Sequence, residues 1–197
     1  MDFLALAEHC APSVHPTTMA AVARVESGFN PYAIGVVGGR LVRQPTGRDE
    51  AIATAKALEQ QGYNFSLGVG QVNRHNLARY GLDYGTAFDA CRNLGAGASI
   101  LSDCYTRATK VVRTEQGALQ AALSCYYSGN FTTGFRDGYV SKVVGNRNQV
   151  PSIAASPIPV VQATSGRRAP HRVGAARTQP SPSTPLVPAE VQSALLF

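Results

Sequence analysis

Eight of the twelve prolines in this 197-residue chain lie in residues 151–197, and that asymmetry restricts folding to what precedes about residue 148. Proline lacks an amide donor and locks φ, so neither a helix nor an inner strand propagates through such a segment. Between these prolines stand Ser, Thr, Ala and Arg with one acidic residue, Glu190. That mixture offers little apolar surface to offset the entropy of ordering. The chain reads as one folded domain over residues 1–148 and a disordered, Pro-rich tail over 149–197. A domain of that size buries roughly 70% of its extended-chain surface and needs no covalent staple.

Ahead of the tail the pattern is mostly helical. Residues 3–8 predict a short helix, and 19–27 a second one capped by Thr17 or Thr18 and closed by Gly28 and Pro31. The β-branched flanks of Gly38-Gly39 predict a small hairpin over 36–42. Residues 49–61 form an amphipathic helix, and 66–73 a glycine-interrupted extended segment. Helices over 93–112, 116–127 and 132–144 follow, without an internal repeat. The expected fold is mainly α with a minor β element.

The net charge of +6 suits an acidic polymer partner. Three of those charges fall in residues 1–150 and three in 151–197, and no run of basic residues exceeds Arg167-Arg168. Nucleic acid is disfavoured, because a DNA-binding face clusters its charge more densely. No apolar run approaches the roughly 20 residues of a membrane helix, so no stable insertion is expected. Four cysteines, at 10, 91, 104 and 125, include no CxxC pair. They fit one or two disulfides in an oxidising compartment or small buried hydrophobes equally well. Cys91 and Cys104 are excluded as partners within one helix, which rises about 20 Å over that separation. His9, His15, His75 and His171 lack metal-ligand spacing, so neither metal nor cofactor is expected. No secretory signal is visible after Met1-Asp2.

One residue breaks the helical pattern. The apolar stripe of Met19, Val22 and Ala23 continues at i+7 to Glu26. A carboxylate on a buried stripe is costly unless neutral or paired, and desolvation raises its pKa until it serves as a proton donor near neutral pH. The alternative is a helix-end glutamate that turns outward or pairs with an arginine. Downstream, the two glycines of Gly68-Val69-Gly70-Gln71-Val72-Asn73 permit close backbone approach. The amides of Gln71 and Asn73 suit sugar hydroxyl and acetamido groups. A tyrosine of the pair Tyr126-Tyr127, at the end of the helix 116–127, is placed to bond a carboxyl or stack on a sugar ring, or simply to fill the core.

Three segments in order carry a resemblance: Glu26-Ser27-Gly28-Phe29-Asn30-Pro31-Tyr32-Ala33, Gly68-Val69-Gly70-Gln71-Val72-Asn73, and Ala122-Leu123-Ser124-Cys125-Tyr126-Tyr127-Ser128-Gly129. With Asn93-Leu94 and Gly97 between them, they resemble the motifs of the lytic transglycosylases with a lysozyme-like fold. The continuation Ile34-Gly35-Val36-Val37-Gly38-Gly39 is similar to those attached to type IV secretion systems. The resemblance spans about residues 1–145. It implies an α+β lysozyme-like fold, a periplasmic location and cleavage of the β-1,4 bond between N-acetylmuramic acid and N-acetylglucosamine in peptidoglycan. It implies Glu26 as the catalytic acid/base, Ser27 orienting substrate, Gly70 and Gln71 lining the sugar subsite, and Tyr126 bonding near the carboxyl. At one position the chain departs, with Tyr127 where the family often has Asn.

Ordinary glycosidases need two carboxylates, and Asp49, Glu50, Glu59, Asp83 and Asp89 lack a partnering motif. The resemblance implies a route with one acid, in which the muramic acid C6 hydroxyl attacks its own C1 and leaves a 1,6-anhydro end. The rivals are a hydrolytic muramidase on the same fold and a non-catalytic wall-binding assembly module of a secretion apparatus. The tail is a candidate tether to secretion components.

Overall fold

The fold comes from a computed structural model, which describes residues 2–147. The expected tail over 149–197 lies outside the described residues. Helix α1 (Phe3–Cys10) is capped by Asp2, whose carboxylate accepts from the Leu4 amide. Helix α2 (Pro16–Ser27) begins earlier than expected. His15 is its N-cap instead of Thr17 or Thr18, with Nδ1 accepting from the Thr17 amide at 3.3 Å. Pro16 explains the shift, because its fixed φ and missing amide suit the first helical position. The helix is also buried more widely than one stripe: Ala20 and Ala21 are enclosed along with Met19, Val22 and Ala23.

After α2 come β1 (Ile34–Val36), α3 (Arg48–Gln60), β2 (Phe65–Leu67) and β3 (Val72–Asn73). The strands form an antiparallel sheet in the order β1-β2-β3, with Ile34 opposite Leu67, Val36 opposite Phe65 and Leu67 opposite Val72. The hairpin expected across Gly38-Gly39 is not formed. Val36 instead pairs with Phe65, which is fully buried, whereas Val42 on the expected return strand is fully exposed. Burial of the large β2 side chains outweighs the local turn signal. The loop is tied back by Gln44, whose side-chain amide accepts from the Ile34 amide at 2.8 Å and donates to its carbonyl at 3.0 Å. That pairing covers the edge of β1 as another strand would. The hairpin lies one segment later, where 66–73 folds back on itself through residues 68–71.

Two short 3-10 turns, Arg74–Asn76 and Ala78–Tyr80, lead to α4 (Ala90–Ala108) and α5 (Glu115–Ser128). The single helix expected over 132–144 is two, α6 (Thr133–Arg136) and α7 (Tyr139–Asn146). The break falls at Gly138, whose φ of 75° is left-handed and cannot continue a helix. All four cysteines are paired, Cys10 with Cys91 and Cys104 with Cys125. The first bond ties α1 to α4 and the second ties α4 to α5.

Two large apolar cores result among the described residues, beside a small third one of Ala108, Ala118 and Ala121. Met19, Val22, Leu94, Leu101, Leu123 and Val140 pack among the helices. Ile34, Phe65, Leu67, Val72, Leu77 and Phe88 pack beneath the sheet. The turn between β2 and β3 joins them, because Val69 at its centre belongs to the helical core. That turn crosses the C-terminal end of α2, where Glu26 lies.

Candidate active site

Glu26 occupies the last turn of α2 and is itself part-buried, with the buried residues before it directing its carboxyl inward. One carboxylate oxygen, Oε1, accepts a hydrogen bond from the Tyr139 hydroxyl at 2.6 Å. The other, Oε2, is occluded from solvent and has no protein partner. Desolvation pushes this carboxyl up to about 8, and the Tyr139 hydrogen bond opposes that rise only in part. Glu26 is therefore protonated at neutral pH. With Oε1 already accepting, Oε2 is the oxygen left available to carry the acid proton.

The turn over residues 68–71 is held beside the end of α2 from three sides. The Ser27 hydroxyl lies 2.8 Å from the Val69 carbonyl and 3.1 Å from that of Ala23, so it ties the turn to the end of α2. The Tyr126 hydroxyl donates to the Gly70 carbonyl at 2.5 Å. Asn93, fully buried on α4, accepts from the Gly70 amide at 2.7 Å and donates to the carbonyls of Leu67 and Ala87. Glycine is required at position 68, and position 70 leaves little room for a side chain. A Cβ on Gly68, whose φ is +78°, would lie 2.3 Å from Asn93 Nδ2. One on Gly70 would lie 3.1 Å from the Tyr126 hydroxyl.

Of the expected site residues, Glu26, Ser27, Gly70 and Tyr126 are brought together. Gln71 and Asn73 are buried and turned into the fold. The Gln71 amide donates to the carbonyls of Ala33 and Gly68. Asn73 donates to Asn64 and Ser66 and accepts from the His75 amide. Among the other carboxylates, Glu50 pairs with Arg43, whose hydrogen bonds hold it down to about 2. Glu59 pairs with Arg74, Asp83 holds Thr86, and Asp89 caps α4. A shallow concavity near Ala21, Leu123 and Val143 is lined by none of the site residues.

The order of these elements agrees with a family comparison, in which a Transglycosylase SLT domain matches residues 3–145. The chain belongs to this lytic transglycosylase family. It is 59% identical over 167 residues to the type IV secretion system protein virB1 of Brucella suis, covering 82% of this chain and 68% of that one. The virB1 protein of Brucella abortus is equally similar. Protein virB1 of Agrobacterium fabrum is 37% identical over 161 residues, 79% of this chain and 64% of its own. No solved structure matches the chain.

Sequence reasoning about this transglycosylase missed Tyr139. It sits 113 positions from Glu26, on a helix whose start depends on Gly138. The signal that would have pointed to it is a tyrosine directly after Asp137-Gly138, a dipeptide that breaks the helical pattern.

Proposed function

We propose that Glu26 is the single acid/base of this peptidoglycan lytic transglycosylase, working on the bond between N-acetylmuramic acid and N-acetylglucosamine. The observation that carries the reading is the occluded, unpartnered Oε2 of a carboxyl raised to about 8. Oε2 gives its proton to the bridging oxygen as the bond from that oxygen to the muramic acid C1 breaks. The resulting carboxylate then takes the proton of the C6 hydroxyl while O6 bonds to C1. The products are a 1,6-anhydro end and a free 4-hydroxyl, no water is consumed, and Glu26 ends protonated again. Tyr139 supports the carboxylate between the two steps by donating to Oε1. Ser27, Gly70 and Tyr126 form the wall against which the sugar rests. Gln71 and Asn73 set the shape of that wall, since their amides bond to the fold.

The enzyme unit runs over 1–148. Its work belongs in the periplasm, a reading supported by the two disulfides, which form and persist in oxidising compartments. The virB1 relatives support a role in opening the wall for a type IV secretion system, with residues 149–197 as a tether to its components.

Digestion of purified peptidoglycan followed by mass analysis of the released sugars tests the chemistry. The expected products are lighter by one water than a muramidase would release, and Glu26→Gln yields none. Reducing-end products of hydrolysis, or full activity in Glu26→Gln, would overturn it. Recovery of secretion components with and without residues 149–197 tests the tether, and equal recovery counts against it.

A further inference from the structure

The proton chemistry assigned to Glu26 does not by itself require Tyr127, yet this side chain is built into the same cluster. Its ring lies flat on that of Tyr139, with centroids 4.7 Å apart and planes 19° from parallel. Its hydroxyl reaches Oδ2 of Asp137 at 3.5 Å. Asp137 is in turn held by Arg136 at 2.8 Å. Tyr139 is the first residue of α7, and that helix start has no side-chain cap to stiffen it. The direction of the Tyr139 ring is therefore set by what packs on its face, and Tyr127 from α5 covers that face.

We propose that Tyr127 is a positioning residue that keeps the Tyr139 hydroxyl on Oε1 of Glu26, so that Oε2 remains the oxygen carrying the transferable proton. The inference rests on Glu26 being the acid/base. A hydroxyl donating to one oxygen of a carboxyl leaves the acidic proton to the other, and a ring free to tilt would bond either oxygen or neither. Offset stacking of two tyrosines restrains such tilting beyond what area burial supplies.

The groups around the Tyr139 hydroxyl are Glu26 from α2 and Tyr126 and Tyr127 from α5, while Asp137 and Arg136, at the junction of α6 and α7, meet the Tyr127 side of the stack. Arg24 of α2 lies over the Phe29 ring. Burial pushes Tyr126 and Tyr139 well above the ordinary range, and the Arg136 hydrogen bond holds Asp137 down. Within this cluster Glu26 is the group that titrates near pH 8.

The test measures kcat and KM against pH on soluble glycan strands, with a melting temperature for each protein. The proteins are wild type, Tyr127→Leu, Tyr127→Phe, Tyr139→Phe, the Tyr127→Leu/Tyr139→Phe double variant, and Glu26→Gln as the blank. Tyr127→Leu should lower kcat about 10-fold while KM stays within about twofold. Its alkaline limb should move up by roughly half a pH unit, the direction expected when a donor to the carboxylate is lost. Tyr127→Phe should recover most of the lost kcat, and Tyr127→Leu should add nothing in the Tyr139→Phe background. If Tyr127→Leu does not fold, Tyr127→Met replaces it. A wild-type pH profile in the folded variant, or multiplicative effects in the double variant, would overturn the proposal. Glu26→Gln remaining active would remove the acid/base reading and this inference with it. An inert Glu26→Gln beside an unaltered Tyr127→Leu removes only the positioning role.

Discussion

The Tyr139 hydroxyl donates to Oε1 of Glu26 at 2.6 Å and joins the start of α7 to the end of α2. The bond favours the charged form of the carboxyl, while burial away from water favours the neutral form, and the second effect is larger. Activity that needs the protonated acid should therefore fall away above about pH 8. Tyr139→Phe removes the opposing bond, so its alkaline limb should lie at higher pH, with kcat reduced about 10-fold. A pH–rate profile of the two proteins checks both statements.

The same carboxyl makes stability depend on pH. Below its ordinary value of 4.5, folded and unfolded chains both hold the proton. Between 4.5 and about 8 the unfolded chain releases it while the folded chain keeps it, so stability falls as pH rises. Above about 8 the penalty is complete. Glu26→Gln carries no such penalty, so it should match wild type at pH 4 and exceed it at pH 8.5 by up to about 5 kcal/mol, at about 1.4 kcal/mol for each pKa unit. Denaturant titrations at the two pH values measure the difference.

Asn93 satisfies one amide and two carbonyls that are otherwise buried. Asn93→Ala should destabilise the domain by about 3 kcal/mol or more, because each abandoned group keeps its desolvation cost. Gly68→Ala should also be severe, since its Cβ meets the Ala87 carbonyl at 2.5 Å as well as Asn93. Thermal unfolding of both variants is the measurement.

The bond from Cys10 to Cys91 closes a separation of 81 residues, and that from Cys104 to Cys125 one of 21. Reduction releases constraint on the unfolded chain, worth about 2–4 kcal/mol for each bond. The melting temperature should drop in reductant. The variant lacking the Cys10–Cys91 bond should lose more than the variant lacking the Cys104–Cys125 bond, because its loop is longer.

Sequence alone determined the features that are local or periodic. The stripe from Met19 to Glu26 sets a carboxyl on the buried side of a helix, and the ordered glycine and tyrosine segments mark the family. What a chain distant in sequence decides was not legible. Val36 took Phe65 as its partner over the nearby Gly38-Gly39 turn, because pairing there buries larger side chains. Gln71 and Asn73 look like sugar ligands on paper, yet their amides meet carbonyls and polar side chains that arrive only when the hairpin closes. Tyr139 reaches Glu26 only after the Gly138 break turns α7 and Tyr127 stacks against it. A helix period shows which face of a segment is buried, but the partner that meets a given atom depends on packing between elements far apart in the chain.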